Sequence, residues 1–126
     1  MQQTKAATDK DYDLAIQFCI ENIHIFSFCC ASHNEKSTLF LLELMDKHKI
    51  DKQDERIYFA QLLGMSDHIS MNLAQQNYNV AKYVPYGPVR EVTPYLIRRA
   101  QENTSIAGQT GRELSLIVAE KRRRKK

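Results

Sequence analysis

The sequence predicts an α/β fold in which helices cover a parallel sheet. Three short apolar segments, rich in β-branched and aromatic residues, read as buried strands, and a helical pattern separates each strand from the next. Every connection between strands is long enough for the right-handed crossover that parallel strands need. We therefore expect a single unit over residues 1–126, with a basic tail at 121–126.

The first helix and the first strand are predicted in the opening third of the chain. The helix begins at Thr8, whose hydroxyl caps it, and runs to about Asn22. Its inward face follows from four apolar side chains at helical spacing: Leu14, Ala15, Phe18 and Cys19. The strand covers residues 23–31, which are apolar on both faces, as a buried parallel strand would be.

The second helix and the second strand follow the same pattern. The helix spans residues 35–48 and ends in basic residues, which a helix C-terminus favours. Its predicted inward side chains are Leu39, Leu42 and Met45. The strand covers residues 57–63 and is closed by Gly64, after which Ser66 is predicted to cap a helix over residues 67–76.

The third strand, residues 79–84, runs into a segment rich in proline and glycine. Pro88 suits the first position of the helix that follows, which continues to about Glu102. A polar loop then leads to a last helix, which begins near Arg112 and enters the basic tail. Three strands leave two sheet edges unpaired, so the sequence describes either a very small sheet or part of a larger one.

Composition excludes several classes of function. The six residues 121–126 are all basic, and without them the chain carries 12 basic against 15 acidic side chains. A slightly acidic body argues against nucleic-acid binding. The longest apolar stretch, residues 23–31, is far shorter than the roughly 20 residues of a membrane helix, and the first residues do not resemble a secretory signal. The cysteines are odd in number, which favours reduced thiols: Cys19, Cys29 and Cys30.

Polar side chains gather where the predicted strands end, which is where parallel α/β folds build their active sites. They are Ser32, His33 and Asn34 after the first strand, Gln61, Gly64 and Met65 at the second, and Tyr83 and Tyr86 at the third. A second interpretation stays open for several of them. His33 and Asn34 also suit a strand end and a helix cap, and Tyr83 also suits a core aromatic.

The helix after the third strand carries an arginine pair between two other functional groups. Tyr95 precedes Arg98 and Arg99 by one turn, and Glu102 follows them by one turn. Both guanidinium groups reach one carboxylate if the helix lies across the mouth of a site. A surface ion pair between Arg98 and Glu102 is the alternative.

Four motifs, in order and with matching spacing, resemble the proline dehydrogenase family over about residues 5–112. They are Ser32-His33-Asn34-Glu35, Tyr58-Phe59-Ala60-Gln61-Leu62-Leu63-Gly64-Met65, Lys82-Tyr83-Val84-Pro85-Tyr86-Gly87-Pro88 and Tyr95-Leu96-Ile97-Arg98-Arg99-Ala100-Gln101-Glu102-Asn103. The resemblance implies the C-terminal part of a (β/α)8 TIM-type barrel, with about three parallel strands and their covering helices. It explains why the predicted sheet has unpaired edges.

The resemblance also implies an activity: FAD-dependent oxidation of L-proline to Δ1-pyrroline-5-carboxylate. Arg98 and Arg99 would bind the substrate carboxylate, and Glu102 would support them. A wall against the pyrrolidine ring would be formed by Leu62, Tyr83 and Tyr95. The flavin would be contacted by Ser32 and His33.

The family's earlier lysine, aspartate, arginine and Lys-Gly-Ala-Tyr elements have no counterpart in this sequence. We therefore expect a fragment that is inactive alone and that pairs with an N-terminal barrel half. The alternatives are a non-catalytic remnant and a binding module that holds an anionic metabolite through the arginine pair. The expected location is cytoplasmic for a bacterial source and mitochondrial for a eukaryotic one, with peripheral membrane contact through a quinone acceptor.

Overall fold

The computed structural model describes residues 4–105 together with 115, 118–119 and 121–124. It divides into two compact units, Met1–Tyr83 and Val84–Lys126. The first unit contains α1 (Lys5–Glu21), β1 (Phe28–Ala31), α2 (Glu35–Lys47), β2 (Ile57–Leu62), α3 (Asp67–Gln75) and β3 (Val80–Tyr83), and the second begins with α4 (Val89–Ser105).

The three strands form one parallel sheet in the order β1-β2-β3. The predicted α/β class and the parallel sheet are confirmed. The first strand is shorter than predicted, because the backbone N–H groups of Ile25 and Phe26 both donate to the carbonyl of Asn22. These bonds continue the turn that ends α1, so extended structure begins only at Phe28.

The helices of the first unit cover one face of the sheet. Side chains alternate along β2, so Ile57 and Phe59 are each only 1% exposed while Tyr58 is 42% exposed. Apolar side chains of all three helices pack on the buried face: Ile16 and Ile20 of α1, Leu41, Leu44 and Met45 of α2, and Ile69 and Leu73 of α3. Within this unit, α1, α2 and α3 leave the opposite face of the sheet open.

The first helix begins earlier than predicted and buries a different face. Thr4 is its N-cap, and the Thr4 hydroxyl accepts a bond from the N–H of Ala7 at 3.2 Å, so the prediction of a cap at Thr8 is wrong. Ile16 and Ile20 face the core, whereas Leu14 and Phe18 are each 55% exposed. The helix carries two apolar stripes about 200° apart, and helical spacing alone does not choose between them.

The second helix begins where the sequence predicts. The Asn34 side chain accepts from the N–H of Lys36 at 3.1 Å, which confirms its interpretation as a helix cap. The predicted inward face is partly wrong, because Leu39 is 51% exposed whereas Met45 is buried and Leu42 half-buried. Two small polar residues of the helix, Ser37 and Thr38, are buried beside Leu41 and Leu44.

Polar contacts fasten the amino end of the sheet. The Arg56 guanidinium bonds to both carboxylate oxygens of Asp54 and also donates to the carbonyl of Ile23 at 3.2 Å. The Asn79 side chain donates to the carbonyls of Asp54 and Ile57 at 2.8 and 3.2 Å. The connections that enter all three strands are therefore joined to one another.

In the second unit, α4 starts one residue later than predicted. The N–H groups of Glu91 and Val92 donate to the carbonyl of Pro88, which places that proline just before the helix. The helix continues to Ser105, so its end lies inside the predicted polar loop. The predicted last helix from Arg112 lies largely outside the described residues. No helix among those described is long and apolar enough to cross a membrane.

Candidate functional site

The segment after β1 is held by side chains of its own and by a contact from further along the chain. The Ser32 hydroxyl accepts from the N–H of Asn34 at 3.0 Å, which closes a tight turn. The His33 ring nitrogen Nδ1 lies 2.9 Å from the Ser66 hydroxyl oxygen. His33 is therefore more than the end of a strand, because its ring is attached to the start of α3.

Ser66 lies at the N-cap position of α3, as predicted, but its side chain makes no capping hydrogen bond. Its backbone is left-handed, with φ of 50°, whereas a capping residue ordinarily has extended geometry. In the described part of the chain its hydroxyl takes no bond from the first turn of α3, since the side chain is turned toward His33. The motif Ser-Asp looks like a cap locally, and no local signal points to a histidine so far upstream.

A buried polar chain connects this contact to the middle of the sheet. The Gln61 amide donates to the carbonyl of Ser32 at 3.4 Å and is only 3% exposed. The Ser70 hydroxyl donates to the Gln61 carbonyl oxygen at 2.7 Å and lies 3.3 Å from the carbonyl of Ser66. The sequence placed Gln61 at a strand end but did not single out Ser70, which has no distinguishing signal in a helix pattern.

Lys82 fixes the loop after β2 onto β3. Its ammonium donates to the carbonyl of Met65 at 2.8 Å and to the Asp67 carboxylate at 2.7 Å. Lys82 was not among the predicted site residues, although a lysine inside a predicted buried strand is a signal that it needs partners. The carboxyl ends of β2 and β3 and the start of α3 consequently form one connected surface.

Two of the predicted wall residues lie side by side on the open face of the first unit. Leu62 of β2 pairs in register with Tyr83 of β3. Two positions earlier along the strands, on the same face, alanines lie opposite one another: Ala31, Ala60 and Ala81. Methyl groups leave a shallow floor beside the Leu62–Tyr83 pair, on the face away from the helices.

The arginine pair lies on α4 in the second unit. The Arg99 guanidinium carbon lies 5.4 Å from the centre of the Tyr95 ring, a cation–π contact one helical turn apart. Arg98 is exposed and Arg99 half-buried, so the two guanidinium groups point in different directions around the helix. The side chain of Glu102 lies outside the described residues, so its supporting role stays a prediction.

Two of the cysteines, Cys29 and Cys30, lie on β1, and Cys30 is buried. The Tyr12 hydroxyl contacts the Cys30 sulfur at 3.6 Å, and burial raises the pKa of the Tyr12 phenol and of the Cys30 thiol. Burial also raises the pKa of Cys29, and a raised pKa disfavours the thiolate, which is the reactive form of cysteine. No group of three or more metal-ligating side chains occurs in the portion described.

A parallel sheet covered by helices, with polar side chains at the carboxyl ends of its strands, defines an α/β domain of the class that builds active sites at that edge. The family model described as proline dehydrogenase matches residues 1–112. The chain belongs to the proline dehydrogenase family, and the resemblance of its four motifs is confirmed.

Known relatives agree with this assignment. The chain is 44% identical over 124 residues to human proline dehydrogenase 1, mitochondrial, and the match covers 96% of the chain. It is 41% identical over 128 residues to hydroxyproline dehydrogenase of Xenopus laevis, covering 98% of the chain. The crystal structure of proline utilization A from Bdellovibrio bacteriovorus, inactivated by N-propargylglycine, is similar over 83% of the chain with 31% identity and a TM-score of 0.75.

The chain is short relative to these proteins. It spans 21% of the human protein, 28% of the Xenopus protein and 11% of the Bdellovibrio chain. In each comparison the matched segment is one part of a longer protein.

Proposed function

We propose that this chain carries the substrate-carboxylate site and part of the flavin site of a proline dehydrogenase. The reaction is the FAD-dependent oxidation of L-proline to Δ1-pyrroline-5-carboxylate. The observation that carries the proposal is the arginine pair of α4 with Arg99 stacked on Tyr95, since a planar guanidinium held by an aromatic ring is well suited to a carboxylate.

On this proposal the α4 side chains bind and orient the substrate. Arg98 and Arg99 neutralise the carboxylate of proline, and Tyr95 limits the rotamers that Arg99 samples. Leu62 and Tyr83 supply an apolar wall for the pyrrolidine ring, because they lie side by side on the open face of the sheet. The protein's contribution is orientation and charge neutralisation.

The residues at the carboxyl end of β1 fit a flavin in two respects. Ser32 and His33 supply polar groups at the sheet edge, and the row of alanines nearby leaves room for a broad planar group on the open face. Ser32 and His33 are the residues of this chain that would hold it. When bound, FAD supplies acceptance of the hydride from the ring carbon next to the proline nitrogen.

The test uses the intact protein that carries this chain, together with any barrel segment that precedes it. Arg98→Met and Arg99→Met should each lower kcat/KM for L-proline by roughly 30- to 1000-fold, because a bound carboxylate loses charge-assisted hydrogen bonds worth about 2–4 kcal/mol. Lysine at either position should restore activity only in part, since it lacks the planar fork. FAD content should not change.

Arg90→Met is the matched control, because Arg90 is an exposed arginine of the same helix outside the motif. It should keep wild-type kinetics. Wild-type kinetics in both Arg98→Met and Arg99→Met would overturn the carboxylate assignment. Proline binding without any flavin would favour the binding-module alternative, and absence of both binding and turnover would favour a remnant.

Hydroxyproline is the second candidate substrate, because relatives named for it match at 41% identity, close to the 44% of the human proline enzyme. The assay therefore measures kcat/KM for L-proline and for 4-hydroxy-L-proline on the same preparation. A higher kcat/KM for 4-hydroxy-L-proline than for L-proline would identify 4-hydroxy-L-proline as the preferred substrate. Human and Drosophila relatives are named mitochondrial, and a mitochondrial location, with the quinone contact, belongs to the same proposal.

A further inference from the structure

Ser66 departs from ordinary helix-start geometry in two ways. Its φ of 50° lies in the left-handed region, which is unfavourable for residues other than glycine and tolerated best by asparagine or aspartate. Among the described residues its hydroxyl also forgoes the bond to the first turn of α3 that a serine at this position usually makes. Such departures from local preference concentrate at functional sites.

The backbone conformation is fixed from several directions. The carbonyl of Ser66 accepts from the N–H groups of Ile69 and Ser70 at 3.0 and 3.2 Å. Lys82 holds the carbonyl of Met65, the preceding residue, at 2.8 Å. Ser66 is only 4% exposed, so its side chain is kept in one place rather than sampling solvent.

What this conformation achieves is the 2.9 Å contact with Nδ1 of His33. A serine hydroxyl can donate to a ring nitrogen or accept from it, and in either case the bond fixes how the ring is oriented. The same logic makes outer hydrogen bonds important for histidines that hold metals. The contact joins residues 33 positions apart, so it is a tertiary arrangement and not a local turn.

We propose that Ser66 is a positioning residue for His33. Its hydroxyl holds the imidazole in a single orientation, ready to contact the flavin. That His33 contacts the flavin rests on the proposed function. That Ser66 orients the His33 ring does not.

The first experiment is a double-mutant cycle on FAD affinity in the intact protein. Ser66→Ala should raise the dissociation constant for FAD by roughly 3- to 10-fold, the value of one ordinary hydrogen bond. His33→Ala should weaken binding at least as much. The double variant should match His33→Ala alone, because Ser66 acts through the ring.

A glycine variant separates positioning from backbone strain. Ser66→Gly and Ser66→Ala both remove the hydroxyl, but only glycine relieves the left-handed conformation. Glycine should therefore unfold at a higher temperature than alanine, by roughly 3–6 °C. Both variants should weaken FAD binding equally. A purely structural role predicts instead that affinity follows the unfolding temperature.

Ser37→Ala is the control for losing a buried serine. Ser37 is 0% exposed, and its hydroxyl has no hydrogen-bond partner in the described part of the chain. Its removal should leave FAD affinity unchanged. A comparable loss of affinity in Ser37→Ala would contradict the proposed role of Ser66.

Nitrogen NMR of the His33 ring tests the proposal without flavin. In the flavin-free protein at about pH 8.5, above the ordinary range of histidine, the Nδ1 signal of His33 should shift in both Ser66→Ala and Ser66→Gly, because that nitrogen loses its bond to the hydroxyl. An unchanged His33 spectrum in both variants would overturn the positioning role. If the spectra change as expected while His33→Ala leaves FAD affinity intact, the positioning role stands and the flavin assignment of His33 fails.

Discussion

Leu62 and Tyr83 lie opposite each other in register on neighbouring parallel strands, at the carboxyl end of the sheet. The N–H of Leu63, the next residue, donates to the carbonyl of Tyr83 at 3.0 Å, so the pair is fixed by the last backbone bond of the ladder. Tyr83 is nevertheless 54% exposed. The backbone that carries this large aromatic ring is therefore held in place, while the ring lies on the open face of its unit and outside the hydrophobic core.

Truncating this ring should affect catalysis more than folding. Tyr83→Ala should lower kcat/KM for L-proline by roughly 10- to 100-fold, because the pyrrolidine ring loses an apolar wall worth about 1–3 kcal/mol. The unfolding free energy should change little, since half of the ring is exposed. Tyr58→Ala is the control, because Tyr58 is a comparably exposed tyrosine of the same face outside the proposed site.

The stacking of Arg99 on Tyr95 predicts a difference between two substitutions. Tyr95→Phe keeps the aromatic face and should stay within about 3-fold of wild type in kcat/KM. Tyr95→Leu removes the cation–π contact, worth about 0.5–2 kcal/mol, and should lower kcat/KM by roughly 3- to 30-fold. Equal activities for the phenylalanine and leucine variants would show that the stack does not hold Arg99 for the substrate.

The contact between Asp54 and Arg56 should make stability depend on acid pH. Hydrogen bonds from the Arg56 side chain lower the pKa of Asp54 to about 2. Because this value lies below the ordinary value of about 3.9 in an unfolded chain, the contribution is full above about pH 5 and is lost as the pH falls toward 2. Urea unfolding at several pH values should therefore show wild type and Asp54→Asn converging in acid.

The free energy of unfolding of Arg56→Met should also depend less on pH between 5 and 2 than that of wild type, since this change removes the cause of the lowered Asp54 pKa. A constant difference between wild type and Asp54→Asn from pH 6 to pH 2 would contradict the assignment.

Lys82 should be worth more to stability than a surface lysine. Lys82→Met leaves the carbonyl of Met65 without its ammonium partner, and we expect a cost of about 1–3 kcal/mol in the free energy of unfolding by urea. Lys10→Met, at an exposed position of α1, should stay within about 0.5 kcal/mol of wild type. Equal effects in the two variants would show that the loop after β2 does not depend on Lys82.

The sequence was sufficient for the order of helices and strands and for the parallel sheet. Strand segments rich in β-branched and aromatic residues alternated with long crossovers, and few topologies satisfy that pattern. The inward faces of the first two helices were less predictable. Each helix carries apolar residues on more than one side, so the buried stripe depends on partners that the local pattern does not reveal.

The candidate site, like the fold, could be predicted from the sequence only in part. Leu62 and Tyr83 lie in register because strand ends bring motif residues to one edge, and their role as a substrate wall stays a prediction. The position of Ser66 at the start of α3 was predicted, but the partner of its hydroxyl was not, because a serine before an aspartate has the same local pattern whether its side chain caps a helix or contacts His33. Lys82 was missed because its partners, the Met65 carbonyl and the Asp67 carboxylate, lie on a segment that no sequence pattern places beside β3.

The left-handed backbone of Ser66 also has a consequence for protein engineering. A redesign that optimises thermal stability alone would change this position early, because glycine relieves the conformation and many substitutions at helix starts raise the melting temperature. The resulting protein would survive heating better and hold His33 less firmly. Position 66 is therefore one to keep fixed when the rest of the chain is varied.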